Sequence, residues 1–407
     1  MMKYPIGIQT FSNIIQDGYV YVDKTDMVYS LANSGKIFFL SRPRRFGKSL
    51  LLSTLKSYFL GQKELFRGLK IDSLEKEWNV YPVFHLSFGT SNFTKLGTLE
   101  AVILDYIESF EKIYGRTTNS DDYAIRFKHV IKAAHEKTGQ RTVVLVDEYD
   151  KPLLDVMDNK TLYYQNDNGE KIAYETYNRD ILKGFYGAFK DADEDLQFVF
   201  LTGVTKFSQV SVFSGFNQPD DISLDEKYES LCGITKEELL TVFDKPIRSL
   251  ASTKNKSYED MVAMLTEKYD GYHFSSKMTG IFNPFSILNC FSKNDMRNYW
   301  FASGTPGYLV RLLAHGNENI NELVGKYYPA EMFIDYKADV EQPLPMIYQS
   351  GYLTIKACNP RRQTYLLDFP NEEVRSGFIS VLACDYFKEG RTQPATWLED
   401  VTDALQA

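Results

Sequence analysis

Gly47, Lys48 and Ser49 close the run Ser41-Arg42-Pro43-Arg44-Arg45-Phe46-Gly47-Lys48-Ser49. A glycine there lets backbone N–H groups approach phosphate oxygens. A lysine reaches the terminal phosphates, and a serine hydroxyl ligates Mg²⁺. Much later, Val143-Val144-Leu145-Val146 runs into Asp147 and Glu148. An apolar strand ending in two carboxylates can hold Mg²⁺ with the first and polarise a water with the second. Neither motif is specific alone. In this order they predict binding of ATP with Mg²⁺, the metal on Ser49 and Asp147. Lys48 and Glu148 are the expected catalytic groups. Arg44, Arg45, Phe46, Gly47, Lys48, Ser49 and Leu50 are the expected nucleotide-binding loop and helix start. The full phosphate-loop pattern asks for glycine where this chain has Arg42, which is a departure.

Those residues need positions at the ends of strands, and the hydrophobic pattern supplies them. Lys36–Ser41, Tyr81–Phe88, Val143–Val146 and Leu196–Thr202 read as strands. Ser49–Leu60, Leu99–Tyr114, Asp122–Lys137 and Asn178–Asp191 read as helices. Strands alternating with helices imply βαβ crossovers and a mostly parallel sheet, and continuous apolar strands imply cover on both faces. The expected fold is α/β, a three-layer α/β/α P-loop NTPase with a mostly parallel sheet. Thr202 ends the fourth strand and is the candidate γ-phosphate sensor, with Thr205 as the alternative.

After Phe207 the pattern changes. Ser208–Leu224 reads as a loop. Thr235 with Glu238 three residues on predicts a capping box and opens a helical region. Near the end, Tyr352–Ala357 and Thr364–Phe369 flank Asn359-Pro360-Arg361 as a hairpin, and a helix starts near Glu372. Helix, hairpin, helix is winged-helix-like. The expected division is 1–225 for an ATPase core, 226–325 for a helical lid and 326–407 for the winged-helix-like region.

Composition bounds the alternatives. The 407 residues carry a net charge of −8, the opposite of a general nucleic-acid footprint. The four cysteines form no C-x-x-C pair, as expected of reduced thiols in a cytoplasmic protein. No apolar run is long enough to span a membrane.

Tyr4-Pro5-Ile6-Gly7-Ile8-Gln9-Thr10-Phe11, Tyr21-Val22-Asp23-Lys24-Thr25, the Arg-rich loop at 41–49, Val146–Pro152 and Leu201–Ser208 together resemble the bacterial AAA-ATPase-like family. So do Tyr269–Phe274, Asn283–Ser286, Tyr348–Ile355 and Phe369–Arg375. The resemblance covers nearly the whole chain and makes the Arg-rich loop a family trait. It implies an ATPase core with a helical lid and a winged-helix-like region. The segment around Asp23 resembles the one leading into the adenine pocket of AAA-type ATPases, which makes Asp23 a nucleotide-binding candidate. Family members often carry a PD-(D/E)XK nuclease-like domain, for which this sequence offers no convincing carboxylate–lysine cluster. Two functions stay open: an ATP-hydrolysing switch or motor, in which Arg44 and Arg45 stabilise γ-phosphate charge, and a nucleotide-regulated binding module with little hydrolysis. The partner stays open between a protein, a nuclease-like domain, DNA at Arg361 and Arg362, and further copies of the chain.

Overall fold

The computed structural model describes residues 2–157, 159, 161–166, 168–207, 219–303, 323–334 and 343–378. In chain order the strands are β1 (Ile37–Ser41), β2 (Val83–Ser87), β3 (Thr142–Asp147), β4 (Tyr163–Gln165), β5 (Lys171–Ala173) and β6 (Leu196–Gly203). They continue with β7 (Asp220–Asp221), β8 (Ile234–Thr235), β9 (Ile281–Phe282), β10 (Lys326–Pro329), β11 (Thr354–Asn359) and β12 (Thr364–Asp368).

The central sheet has the order β2-β3-β6-β1-β7, and every pairing in it is parallel. β3 is buried at every residue and β6 at all but Gln197, as their largely apolar sequences require. Register settles the layers. Phe84 lies beside Val144, and Val144 beside Val199, whereas Phe198 is one step out and pairs with Val143. Phe84 and Phe198 therefore point to opposite faces. Phe198 meets Phe59 of the helix Lys48–Phe59, with ring centroids 5.0 Å apart. Phe84 stacks at 4.1 Å on Phe110 of the helix Thr98–Tyr114, and touches Phe127 of the helix Tyr123–Thr138. Helices cover both sheet faces, giving the three-layer α/β/α P-loop NTPase fold.

The helices Lys236–Val242, Asp244–Thr253, Tyr258–Tyr269 and Pro284–Lys293 share a separate apolar cluster that includes Leu239, Ile247, Leu265 and Ile287. Met2, Tyr4, Val20 and Val22 from the chain start pack against it. The capping box is present: Thr235 accepts from the Glu238 N–H and Glu238 from the Thr235 N–H. β10, β12 and β11 form an antiparallel sheet in that order, next to the short helix Leu344–Gln349. Residues 372–378 are helical. Ile355, Leu367 and Phe378 belong to the same buried cluster as the central sheet, so this part is packed on the core.

Three features depart from the sequence expectation. Residues 208–218 of the expected loop lie outside the described residues, but its end forms β7 and a 3₁₀ turn, Ile222–Leu224. The strand is too short and polar to show a period; it exists because β1 has a free edge beside it. β4 and β5, three residues each and equally too short to show a period, pair only with each other as a separate hairpin. β10 was hidden because its partner β12 lies far along the chain.

Candidate nucleotide site

Gly47 adopts φ +94, the left-handed conformation, and directly precedes the helix starting at Lys48. That helix start presents its unpaired N–H groups and partial positive charge. Arg45, also left-handed at φ +67, completes the turn. Ser49 and Leu50 are half-buried, while Arg44, Arg45 and Gly47 are exposed. Lys48 is buried, and its amine donates to the carbonyls of Arg42 at 2.8 Å and Pro43 at 3.1 Å. Burial pushes the Lys48 pKa down, and Asp147 and Asp150 pull it back.

Arg42 explains how this loop does without its first glycine. Its guanidinium is buried, donates to the carbonyls of Ser41, Ser223 and Tyr228, and lies 4.1 Å from the Phe274 ring centroid. The side chain turns away from the phosphate-binding turn and ties the end of β1 to the segment after β7. Sequence reasoning saw the departure without its purpose.

β6 lies between β1 and β3, which puts Thr202 beside Asp147. The Thr202 hydroxyl donates to Asp147 Oδ1 at 2.8 Å, and the Glu148 N–H donates to the same oxygen. Asp147 is 5% exposed and Thr202 fully buried. The hydroxyl proton of the expected phosphate sensor is thus directed at the neighbouring carboxylate. Glu148 has φ +52, a conformation that side-chain-bearing residues adopt uncommonly. A side-chain carbon at Gly89 would lie 2.4 Å from Glu148 Oε2, so that glycine makes room for the carboxylate. Burial, then Asp147 and Asp150, push the Glu148 pKa up; Lys48 and Arg44 pull it down. A carboxyl lifted toward neutrality is suited to taking a proton from water.

Asp150, three residues past the end of β3, is buried. Its Oδ2 accepts from the Val204 N–H, the Thr205 N–H and the Thr205 hydroxyl at 2.9, 2.7 and 2.6 Å. Thr205, the alternative sensor, is therefore held by Asp150. The Tyr149 hydroxyl donates to the Thr205 carbonyl. These bonds lock the turn after β3 to the end of β6.

A cleft opens beside the helix start. Its lining includes Phe46, Gly47, Leu50, Thr54, Val22 and Ile234. It is mostly apolar, which suits a planar base. Asp23, the remaining nucleotide-binding candidate, is not among the residues that line this cleft. One oxygen accepts from the Thr25 N–H and hydroxyl, and the other from the Lys70 N–H. It satisfies backbone groups at two helix starts. Lys24 lines the cleft, with its amine 2.6 Å from Glu238. Phe46 lines it as well, but its ring is 1% exposed and packs edge-on against Tyr272 and Phe274.

This arrangement can be set beside known proteins. The model of a family described as predicted AAA-ATPase matches residues 5–213. A protein of the vnfD 5′ region of Azotobacter chroococcum mcd 1 is 37% identical over 393 residues, covering 95% of this chain and 71% of the relative. The chain belongs to the AAA-ATPase-like family. Among solved structures, the Aeropyrum pernix ORC1 protein in complex with DNA is similar over 90% of this chain and 94% of that one, at 10% identity. Its TM-score of 0.30 is too low to carry an argument. The P-loop fold of this AAA-ATPase-like chain rests on its own strand order and register. Among the described residues no helix is long and apolar enough to cross a membrane.

Proposed function

We propose that this chain binds ATP with Mg²⁺ and hydrolyses it, acting as a cytoplasmic switch or motor for a partner. The observation that carries the reading is the Thr202–Asp147 bond on adjacent strands, next to the strand that ends in the phosphate loop. In this reading Ser49 and Asp147 hold Mg²⁺, which neutralises phosphate charge when bound. Lys48 leaves its two carbonyls for the terminal phosphates. Glu148 takes a proton from the attacking water, and Arg44 offsets charge on the γ-phosphate. Gly47, Ser49 and Leu50 offer backbone N–H groups, and the apolar cleft takes the base. Thr202 fixes the orientation of Asp147. Residues 1–225 are the ATPase core, 226–325 the lid and 326–407 the winged-helix-like region.

A second reading, a nucleotide-regulated binding module with little turnover, is favoured by the Lys48 amine. Two loop carbonyls satisfy it, so phosphate must displace existing bonds. Exposed Arg361 and Arg362, in the turn between β11 and β12, would then touch a nucleic-acid backbone or an acidic protein surface.

Isothermal titration with ATP–Mg²⁺, wild type beside Lys48→Ala, separates these readings when phosphate release is followed on the same samples. Binding lost in the variant, with turnover in the wild type, supports the ATPase. Binding without turnover supports the module. No binding in either protein overturns both.

A further inference from the structure

The four residues between β1 and the phosphate turn are each gripped by a different part of the chain. Arg42 is held by the Ser223 and Tyr228 carbonyls. Pro43 is met by the backbone of Gly351, whose approach is so close that a side-chain carbon at 351 would lie 2.6 Å from Pro43 Cβ. The Arg44 carbonyl accepts from the Trp300 indole N–H at 3.0 Å. The Arg45 guanidinium lies 5.1 Å from the Phe285 ring centroid. Arg42 and Pro43 also supply the two carbonyls that hold the Lys48 amine.

Glu373 joins the elements behind these grips. It is 1% exposed; one oxygen accepts from the Trp300 backbone N–H and the other from the Ser286 hydroxyl, both at 2.7 Å. Ser286 follows Phe285 on the helix Pro284–Lys293. One buried carboxylate therefore fixes the two elements that contact Arg44 and Arg45. Trp300 in turn packs on Tyr352, next to Gly351, with ring centroids 5.2 Å apart. Tyr352 packs on Phe378 in the helical segment 372–378.

We propose that residues 42–45 transmit the state of the phosphate site to the C-terminal sheet, with Trp300 as the positioning residue and Glu373 as its anchor. The proposal rests on the nucleotide-binding reading above. When Lys48 turns to a phosphate, the Arg42 and Pro43 carbonyls lose their donor. The strap then settles differently against Trp300 and Gly351. Packed cores respond to such small shifts by moving between discrete arrangements, and a tryptophan held at both its indole and its backbone N–H passes the shift on.

Hydrogen exchange on the full chain, with and without ATP–Mg²⁺, tests this. In the wild type, ATP–Mg²⁺ should change exchange at residues 44–48 and also at 349–353. Trp300→Phe keeps a ring against Tyr352 but loses the bond to Arg44. It should still bind and change at 44–48, while the response at 349–353 falls at least about threefold. A full response in Trp300→Phe, or a wild-type response confined to 44–48, overturns the transmission. If Trp300→Phe does not fold, Glu373→Gln against Glu373→Ala decides. The first keeps an acceptor for the Trp300 N–H and should transmit; equal behaviour of the two overturns the role of Glu373. Absence of any ATP–Mg²⁺ response or binding heat in the wild type overturns the nucleotide reading, and this proposal with it.

Discussion

Thr202 and Asp147 sit on adjacent parallel strands, and the threonine hydroxyl donates to the carboxylate at 2.8 Å in a site where both are buried. Such a bond fixes which lone pairs of Asp147 remain for a cation. Thr202→Val keeps the shape and removes the donor. Partners behind metal ligands are typically worth tenfold or more in affinity. The Mg²⁺ concentration for half-maximal ATP binding should therefore rise roughly tenfold, with ATP affinity at saturating Mg²⁺ much less affected. An unchanged Mg²⁺ dependence would remove Thr202 from the metal site.

Glu148→Gln should retain ATP binding and slow phosphate release by about a hundredfold or more, the usual size of a general-base contribution. Single-turnover assays on pre-bound ATP separate this from a binding defect. Undiminished release takes Glu148 out of the mechanism.

Gly89→Ala tests the same carboxylate from the other side. The added methyl collides with Glu148 Oε2. Gly89 does not adopt a left-handed backbone, so the effect should come from Glu148 and not from strain at 89. Turnover should fall while ATP affinity stays within about twofold, because no phosphate-binding residue moves.

Asp150→Ala leaves the buried Val204 and Thr205 N–H groups without their acceptor. It should cost about 3 kcal/mol in urea unfolding. Asp150→Asn keeps an acceptor oxygen and should recover much of the loss. Equal stability of Asp150→Ala and wild type would mean that these donors find other partners.

Glu373 gives stability a pH dependence. Burial pushes its carboxyl from the ordinary 4.5 up to about 7, against opposing bonds from Ser286 and Trp300 and the charge of Lys268. Between pH 4.5 and 7 the folded state keeps a proton that the unfolded chain has lost. The contribution to stability is therefore present below about 4.5 and fades as pH rises through about 7, by up to about 3 kcal/mol. Glu373→Gln cannot titrate and should flatten that slope in chemical unfolding followed from pH 5 to 8. A slope identical to wild type assigns the dependence to other groups.

The sequence by itself determined the α/β core and set its candidate phosphate loop and carboxylate pair at the ends of strands. Both follow from local properties. β3 and β6 are apolar at nearly every position because both sheet faces are covered. Gly47-Lys48-Ser49 and Asp147-Glu148 are short runs whose residue types make them candidates without reference to the rest of the chain. The capping box at Thr235 is equally local. The tertiary structure alone decided what Arg42, Asp23, Asp150 and Trp300 do. Arg42 read as a departure from the phosphate-loop pattern, and it is a buried strut whose carbonyl acceptors at Ser223 and Tyr228 lie far along the chain. Asp23 meets the Lys70 N–H of another helix start, far along the chain. Asp150 gains its partners only because the end of β6 brings Thr205 to it. Nothing near Trp300 in sequence announces Arg44 as its partner. A side chain's composition fixes what bonds it can make; only folding supplies the distant group that completes them, because buried polar groups must be paired wherever the partner comes from.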